Sequence, residues 1–235
     1  MMLKALRERH PGASLGRILY WYALHLVCYL WVGPCYRYRA WGVRNVPRRG
    51  AVLLVASHQS FIDPILVGLA CHHRQFYAMA RRTLWDESAF LGKLMESLNA
   101  IPVDQESADL AAMRRSIEVL KQGQALLIFP EGSRTEDGTI APFAPGISLL
   151  IRRAKPMVVP VAIEGAYDVW PRHRKLPKLC GRIGVMFGKA IPADQLLAMQ
   201  SEPTQYLRDQ CEALRQELER RLGMCPPPPR DDFDE

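Results

Sequence analysis

The sequence predicts an α/β fold in which a largely parallel central sheet is flanked by helices and preceded by an N-terminal helical membrane-docking element. Short apolar runs typical of buried strands alternate with amphipathic stretches that have helical spacing. Two of these runs, 51–56 and 125–128, are followed directly by polar motifs, as expected at the carboxyl ends of parallel strands. A long uncharged stretch lies near the N-terminus. We expect a membrane-anchoring segment over 1–40, one domain over 41–223 and a disordered tail over 224–235.

The N-terminal segment is apolar and aromatic. No Lys, Arg, Asp or Glu occurs from Ile18 to Pro34, a stretch slightly shorter than the ~20 residues of a membrane-spanning helix. Six aromatic residues suited to the membrane–water interface lie here: Tyr20, Trp21, Tyr22, Tyr29, Trp31 and Tyr36. We expect one or two helices, with a break at Pro11-Gly12, that attach the protein to the cytoplasmic face of a membrane. A core helix of a soluble domain is the alternative, and spanning versus interfacial placement stays open.

The remaining elements follow from hydrophobic periodicity and from Gly and Pro positions. Asp63-Pro64 is typical of a helix start, with Asp63 as the cap and Pro64 at the first helical position. Strands are predicted at 51–56, 76–80, 125–128, 158–163 and 183–187, with a short extended piece at 101–103. Helices are predicted from Asp63 and at 90–98, 108–121, 147–153 and 204–222.

Charge and cysteine content limit the class of protein. The 235 residues carry 31 basic and 24 acidic side chains, a net charge of +7, which favours phosphate-bearing partners. No nucleic-acid-binding signature accompanies that charge, so we predict no nucleic-acid partner. The six cysteines form no Cys-x-x-Cys pair and are expected to be reduced thiols. Cys71-His72-His73 is too contiguous to converge on one ion, so no metal is predicted.

The first polar motif, Ser57–Pro64, contains a histidine and an aspartate five positions apart. Histidine can act as a general base near neutral pH, and a carboxylate can fix its tautomer and stabilise the imidazolium. On an ideal helix, His58 and Asp63 would diverge by about 140°, so they meet only if the chain turns between them. The motif therefore predicts a base and its carboxylate partner.

The second motif, Phe129–Thr135, is typical of an anion-binding turn. Gly132 allows the backbone to approach a phosphate closely, and Arg134 can grip one through two hydrogen bonds. Glu131 and Ser133 complete the candidate binding residues. A structural ion pair in a polar loop is the alternative interpretation.

Four ordered blocks resemble the 1-acyl-glycerol-3-phosphate acyltransferase (PlsC-like) family: Ser57–Pro64, Asn99–Asp104, Phe129–Thr135 and Val159–Gly165. The resemblance implies transfer of a fatty acyl group to a lysoglycerophospholipid hydroxyl, foremost 1-acylglycerol-3-phosphate, giving phosphatidate. It implies His58 and Asp63 as catalytic residues and Glu131, Gly132, Ser133 and Arg134 as substrate-binding residues. The implied partners are the membrane surface, the lysophospholipid and an acyl thioester, either acyl-CoA or acyl-carrier protein, with no further cofactor.

Two positions depart from the family pattern. Gln105 stands where the second block usually has Arg, and Ala144 stands where Lys usually follows the third block. Each change removes a cation from the expected phosphate site. Arg81, Arg82, Arg152 and Arg153 are candidate replacements, and the acceptor stays open between lysophosphatidate and another lysolipid or hydroxylated lipid.

Other functions fit parts of the sequence. A hydrolase would pair His58 with Ser133 or Ser60, but no Gly-x-Ser-x-Gly motif is present. A non-catalytic module would bind anionic membranes through its basic residues: Arg152, Arg153, Lys155 and the 172–178 cluster. For the acyl chain, the helix 90–98 and the strand 158–163 are candidate groove linings, with plain core as the alternative.

Overall fold

The computed structural model describes residues 14–104 and 109–224, with the side chains of Arg17 and Phe90 left out. The helices are α1 (Leu15–Cys35), α2 (Asp63–Ala70), α3 (Thr83–Glu87), α4 (Ala89–Ser97), α5 (Leu110–Lys121), α6 (Gly146–Ala154), α7 (Ala166–Val169), α8 (Ala193–Leu197) and α9 (Pro203–Leu222). The strands are β1 (Arg39–Trp41), β2 (Val52–Ala56), β3 (Phe76–Arg81), β4 (Ala100–Val103), β5 (Ala125–Ile128), β6 (Met157–Glu164), β7 (Gly184–Phe187) and β8 (Ile191–Pro192). The predicted break at Pro11-Gly12, Gln105 and the tail from 225 lie outside the described residues.

The strands form one sheet in the order β1-β7-β6-β2-β5-β3-β4, and β8 pairs with β6. Five of its described pairings are parallel, whereas β6 pairs antiparallel with both β7 and β8. The prediction of a largely parallel α/β sheet is confirmed. All predicted strands and helices appear, while β8, α3, α7 and α8 were not predicted. Strand β1 lies at the end of the segment expected to be helical.

The sheet separates two apolar cores because side chains alternate between its faces. On β2, Val52, Leu54 and Ala56 join the core beneath α1 and α2, whereas Leu53 and Val55 join the core beneath α5, α6 and α9. All five β2 side chains are completely buried, as expected for a central parallel strand. Helices therefore cover both faces of the sheet.

Helix α1 is mostly uncovered by the rest of the protein. Its window from Ile18 to Cys35 has a mean hydropathy of 1.3, and 11% of its residues are buried. Ile18 and Val32 pack inward, while Leu19, Tyr20, Leu26, Val27, Tyr29, Leu30 and Trp31 are exposed. By length and composition the helix is able to cross a membrane. A core helix would bury a continuous apolar stripe, so this exposure favours the membrane-docking interpretation.

The parallel pairing of β2 with β5 brings the two polar motifs together. Val55 lies opposite Ile128, so both chains leave the sheet at the same edge. The loop after β2 carries His58, and the loop after β5 carries Phe129–Thr135. Polar groups of the two motifs consequently converge, as the sequence predicts.

We predict that Gly165→Ala destabilises the protein much more than Gly50→Ala. Both glycines have φ of +83°, so both alanines incur the left-handed backbone cost of about 1–2 kcal/mol. A Cβ on Gly165 would lie 1.9 Å from the backbone oxygen of Arg182, whereas a Cβ on Gly50 meets open space. We expect a further loss of about 1–3 kcal/mol at Gly165, measured by denaturant unfolding. Equal losses at both positions would contradict this account.

Candidate active site

His58 and Asp63 form a hydrogen-bonded pair at the edge of the sheet. The distance from His58 Nδ1 to Asp63 Oδ2 is 2.8 Å. The Asp63 side chain is completely buried, whereas the His58 side chain is 20% exposed. The chain turns through residues 59–62 before α2 begins, and this turn brings together two residues that an unbroken helix would separate.

Asp63 also fixes the loop that carries His58. Its Oδ2 accepts hydrogen bonds from the backbone N–H groups of Gln59 (2.6 Å) and Ser60 (2.7 Å). The expected capping role is wrong, because Ile62 occupies the cap position and Asp63 is the first residue of α2. The carboxylate turns back onto the preceding loop, whose N–H groups point at it. Its Oδ1 has no hydrogen-bond partner among the described residues.

The second loop holds His58 from its other side. The His58 N–H donates to Glu131 Oε1 (2.7 Å), and its carbonyl accepts from the Thr135 N–H (2.8 Å). The Phe129 ring stacks on the imidazole, with centroids 4.0 Å apart and an interplanar angle of 20°. With Nδ1 bonded to Asp63, Nε2 is the ring nitrogen left to act as a base. This role of Phe129 was not predicted from the sequence, although Phe129 is the first residue of the second motif.

Glu131 braces both loops through backbone hydrogen bonds. Besides the bond from His58, its Oε2 accepts from the Ala141 N–H at 3.0 Å. Burial raises the pKa of Glu131 to about 7, against the opposing effect of these two donors. Both carboxylate oxygens therefore have protein partners, and a direct substrate contact by Glu131 stays a prediction.

The other three predicted binding residues, Gly132, Ser133 and Arg134, line a cleft that also exposes His58. Gly132 has φ of +76° and its N–H donates to the Phe129 carbonyl, which makes the turn after β5 tight. The cleft has a volume of about 690 Å³. Its apolar lining includes Phe61, Met79, Leu84 and Val103.

Three arginines line this cleft: Arg81 at the end of β3, Arg134 after β5 and Arg172 after α7. Burial, with repulsion from Arg81 and Arg172, lowers the pKa of Arg134. Arg172 has one weak ion pair, 3.5 Å from Glu136, with both side chains substantially exposed. Because the cations repel one another, a bound anion would relieve an existing electrostatic cost.

Of the four candidate replacement cations, the structure brings only Arg81 to the cleft. Arg82 pairs with Asp104 at 3.3 Å, and Arg152 and Arg153 lie exposed in the last turn of α6. Arg172 was missed because it belongs to a basic run that resembles an ordinary solvated surface. Ala144 is exposed and does not line the cleft.

The cleft lining bears on two further predictions. Among the described residues, none of the strand 158–163 or the helix 90–98 lines it. The strand is buried and fits the core interpretation, whereas the helix side chains Leu91, Leu94 and Met95 are only partly buried and belong to none of the apolar cores. Ser60 is completely buried and its Oγ donates to the Trp170 carbonyl at 2.7 Å. A hydrolytic nucleophile at Ser60 is therefore disfavoured, whereas Ser133 remains at the cleft.

A buried polar network that sequence reasoning missed lies behind the pair. Gln59 Nε2 donates to Glu164 Oε2 (3.2 Å), and Gln59 Oε1 accepts from the Tyr167 N–H (3.2 Å). Arg215 of α9 approaches the same Glu164 oxygen at 3.6 Å. Burial raises the pKa of Glu164 to about 7. Its position in the fourth block was the available signal.

A family model described as Acyltransferase matches residues 37–164, more than half of the chain and the part that holds the His58–Asp63 pair. The chain belongs to this acyltransferase family. The crystal structure of the 1-acyl-sn-glycerophosphate (LPA) acyltransferase PlsC from Thermotoga maritima has the same fold. Its TM-score is 0.70 at 19% identity, covering 93% of this chain and 88% of that one.

Curated relatives in the family are similar over the same region. The 1-acyl-sn-glycerol-3-phosphate acyltransferase of Bacillus subtilis is 26% identical over 127 residues, 54% of this chain and 62% of the relative. That of Pseudomonas aeruginosa is 30% identical over 164 residues, 67% of this chain and 60% of the relative. The chain spans 44–62% of the length of the curated relatives it matches.

We predict that Glu131→Gln reduces the loss of stability between pH 5 and pH 7.5. The pKa of Glu131 is about 7 in the folded protein and 4.5 ordinarily, so in this window the folded state binds a proton that the unfolded chain releases. The free energy of unfolding therefore falls as pH rises through the window, by about 3 kcal/mol at most. Glutamine does not titrate, so the variant loses this part of the slope. Denaturant unfolding at several pH values measures it, and an unchanged slope would contradict the assignment.

Proposed function

We propose that the protein is an O-acyltransferase that moves a fatty acyl group from an acyl thioester to the hydroxyl of 1-acylglycerol-3-phosphate, giving phosphatidate. The observation that carries the proposal is the His58–Asp63 pair at a cleft that also presents three arginines. His58 can take the proton of the acceptor hydroxyl, and the arginines can bind the phosphate of the same acceptor. The names of the relatives support this choice of acceptor.

His58 starts the reaction as a general base. Its Nε2 takes the proton of the acceptor hydroxyl while the hydroxyl oxygen attacks the thioester carbonyl carbon. Asp63 keeps the proton on Nδ1 and stabilises the imidazolium that forms. The acceptor itself is the nucleophile, so this route involves no covalent acyl-enzyme.

His58 then completes the reaction as a general acid. The carbon–sulfur bond breaks, and the imidazolium gives its proton to the departing sulfur, which leaves as a free thiol. The ester remains on the glycerol backbone. The proposed donor is acyl-CoA or acyl-carrier protein, and the proposed steps use only these side chains and the two substrates.

The arginines give the acceptor its orientation. Charge-assisted hydrogen bonds contribute about 1.5–3 kcal/mol each, enough for Arg81 and Arg172 to replace the two cations that the blocks lack. The apolar side chains of Met79, Leu84 and Val103 provide a surface for an acyl chain in the same cleft.

Membrane association at the cytoplasmic face is part of the proposal. Helix α1 exposes apolar and aromatic side chains that fit a bilayer interface. The described cysteines, Cys28, Cys35, Cys71, Cys180 and Cys211, are all free thiols, which suits a reducing compartment. Lipid acceptors would reach the cleft from that membrane.

We predict that His58→Ala lowers acyl transfer by about 10²–10⁴-fold while membrane binding is unchanged, because only the chemistry needs the imidazole. The assay follows labelled acyl groups from acyl-CoA, and in parallel from acyl-carrier protein, to lysophosphatidate. His72→Ala is the matched control, since His72 is exposed and does not line the cleft. A fully active His58→Ala variant would overturn the mechanism. Wild-type protein that releases free fatty acid and leaves the acceptor unlabelled would instead indicate a hydrolase.

We further predict that Arg81→Gln and Arg172→Gln each raise the KM for lysophosphatidate about tenfold or more. The KM for monoacylglycerol, which lacks the phosphate, should stay nearly constant. Arg152→Gln is the control, because it removes an equal charge outside the cleft. Equal effects on both acceptors would exclude a phosphate contact by these arginines.

A further inference from the structure

Two leucines in the loop 171–180 are unusually exposed to solvent. Leu176 is 75% exposed and Leu179 is 89% exposed, the highest value among large apolar side chains of the described residues. Single exposed leucines are common on protein surfaces, whereas contiguous exposed apolar patches indicate interaction sites, and Leu176 and Leu179 lie only three residues apart in one loop. The exposure of Leu176 and Leu179 therefore indicates a surface that binds a partner.

Hydrogen bonds hold the backbone of this loop in place. Trp170 Nε1 donates to the Arg174 carbonyl (3.0 Å), and the Lys178 N–H donates to the Val169 carbonyl (2.9 Å). The Tyr36 hydroxyl donates to the Lys178 carbonyl at 3.0 Å. The leucines are thus presented by a fixed loop.

The charge around the leucines has one sign. Arg172, Arg174, Lys175 and Lys178 lie in the loop, and residues 169–182 contain no Asp or Glu. The ion pairs of the described residues include Arg172 but none of the other three. Cations interleaved with exposed apolar side chains match the headgroup and acyl boundary of an anionic bilayer.

The loop adjoins both α1 and the cleft. The Gly181 N–H donates to the carbonyl of Cys35, the last residue of α1. At the other end, Arg172 lines the cleft, and the ring centroid of Trp170 lies 5.8 Å from that of Phe61, a cleft-lining residue that is 43% exposed. The loop thus links the exposed apolar helix to the entrance of the site.

We propose that the loop 171–180 is a second membrane-docking element, which places Leu176 and Leu179 at the acyl boundary of an anionic bilayer and Arg174, Lys175 and Lys178 among its headgroups. Its connection to α1 favours a bilayer over an acidic protein as the partner. The purpose of the loop rests on the proposed function, since docking here brings the cleft to its lipid acceptor. Its test requires no turnover.

Cys180 provides the probe, because it is an exposed thiol beside Leu179. The full chain, with Cys28, Cys35 and Cys225 changed to serine, carries a thiol-linked fluorophore at Cys180. It is reconstituted in vesicles of phosphatidylcholine, with or without phosphatidylglycerol, and acrylamide quenching is measured. A matched protein carries Cys180→Ser and the label at Leu110→Cys, a 65% exposed position on α5.

On anionic vesicles we expect acrylamide to quench the Cys180 label at least about threefold less than the Leu110 label. Arg174→Gln, Lys175→Gln and Lys178→Gln together should abolish this protection, and the His58→Ala protein, which lacks the proposed base, should retain it. Equal quenching of both labels would overturn the proposal. If the Cys180 label is protected equally on vesicles of pure phosphatidylcholine and on anionic vesicles, the partner is not an anionic bilayer. Protection produced only by added acidic carrier protein would assign the loop to a protein partner instead.

Discussion

The site depends on one buried carboxylate oxygen. Asp63 Oδ2 receives His58 Nδ1 and the backbone N–H groups of Gln59 and Ser60, all within 2.8 Å. A completely buried carboxylate without such donors would lose several kcal/mol of hydration free energy. The same three bonds that compensate for burial also set the path of the loop and the tautomer of the base. Loop geometry and proton chemistry are therefore fixed by a single atom.

The order of strands in the sheet places the two loops of the site side by side. Because β2 and β5 are parallel neighbours, their following loops leave the same edge, and the Thr135 N–H of one donates to the His58 carbonyl of the other. The Glu131 carboxylate adds two further bonds by accepting from the His58 and Ala141 N–H groups. Glu131 thus holds the backbone of His58 in place, while Arg134, three residues later, lines the cleft. One short turn serves both the base and the acceptor.

Sequence patterns predicted the main strands because each is a continuous apolar run, and they predicted the His58–Asp63 pair because the two residues are close in the chain. Strands β1 and β8 have three and two residues, too few to show a period, and form only against β7 and β6. Arg134 was predicted and Arg81 was one of four candidate cations, but their grouping with Arg172 could not be predicted, for a different reason. Arg81 ends β3, whereas Arg134 and Arg172 lie in the loops after β5 and α7, and only the folded arrangement of these elements brings the three together.

The C-terminal helix completes the electrostatic arrangement. Arg215 is buried among Glu164, Glu212 and Glu219, in a helix whose sequence suggests an ordinary charged surface. Hydrogen bonding to Glu212 raises the pKa of Arg215, and burial raises that of Glu164 to about 7. Arg215 thus offsets the charge of carboxylates behind the catalytic loop, while the cleft in front of His58 presents three arginines and Glu87. Gln59 joins this rear network to the loop that holds the base.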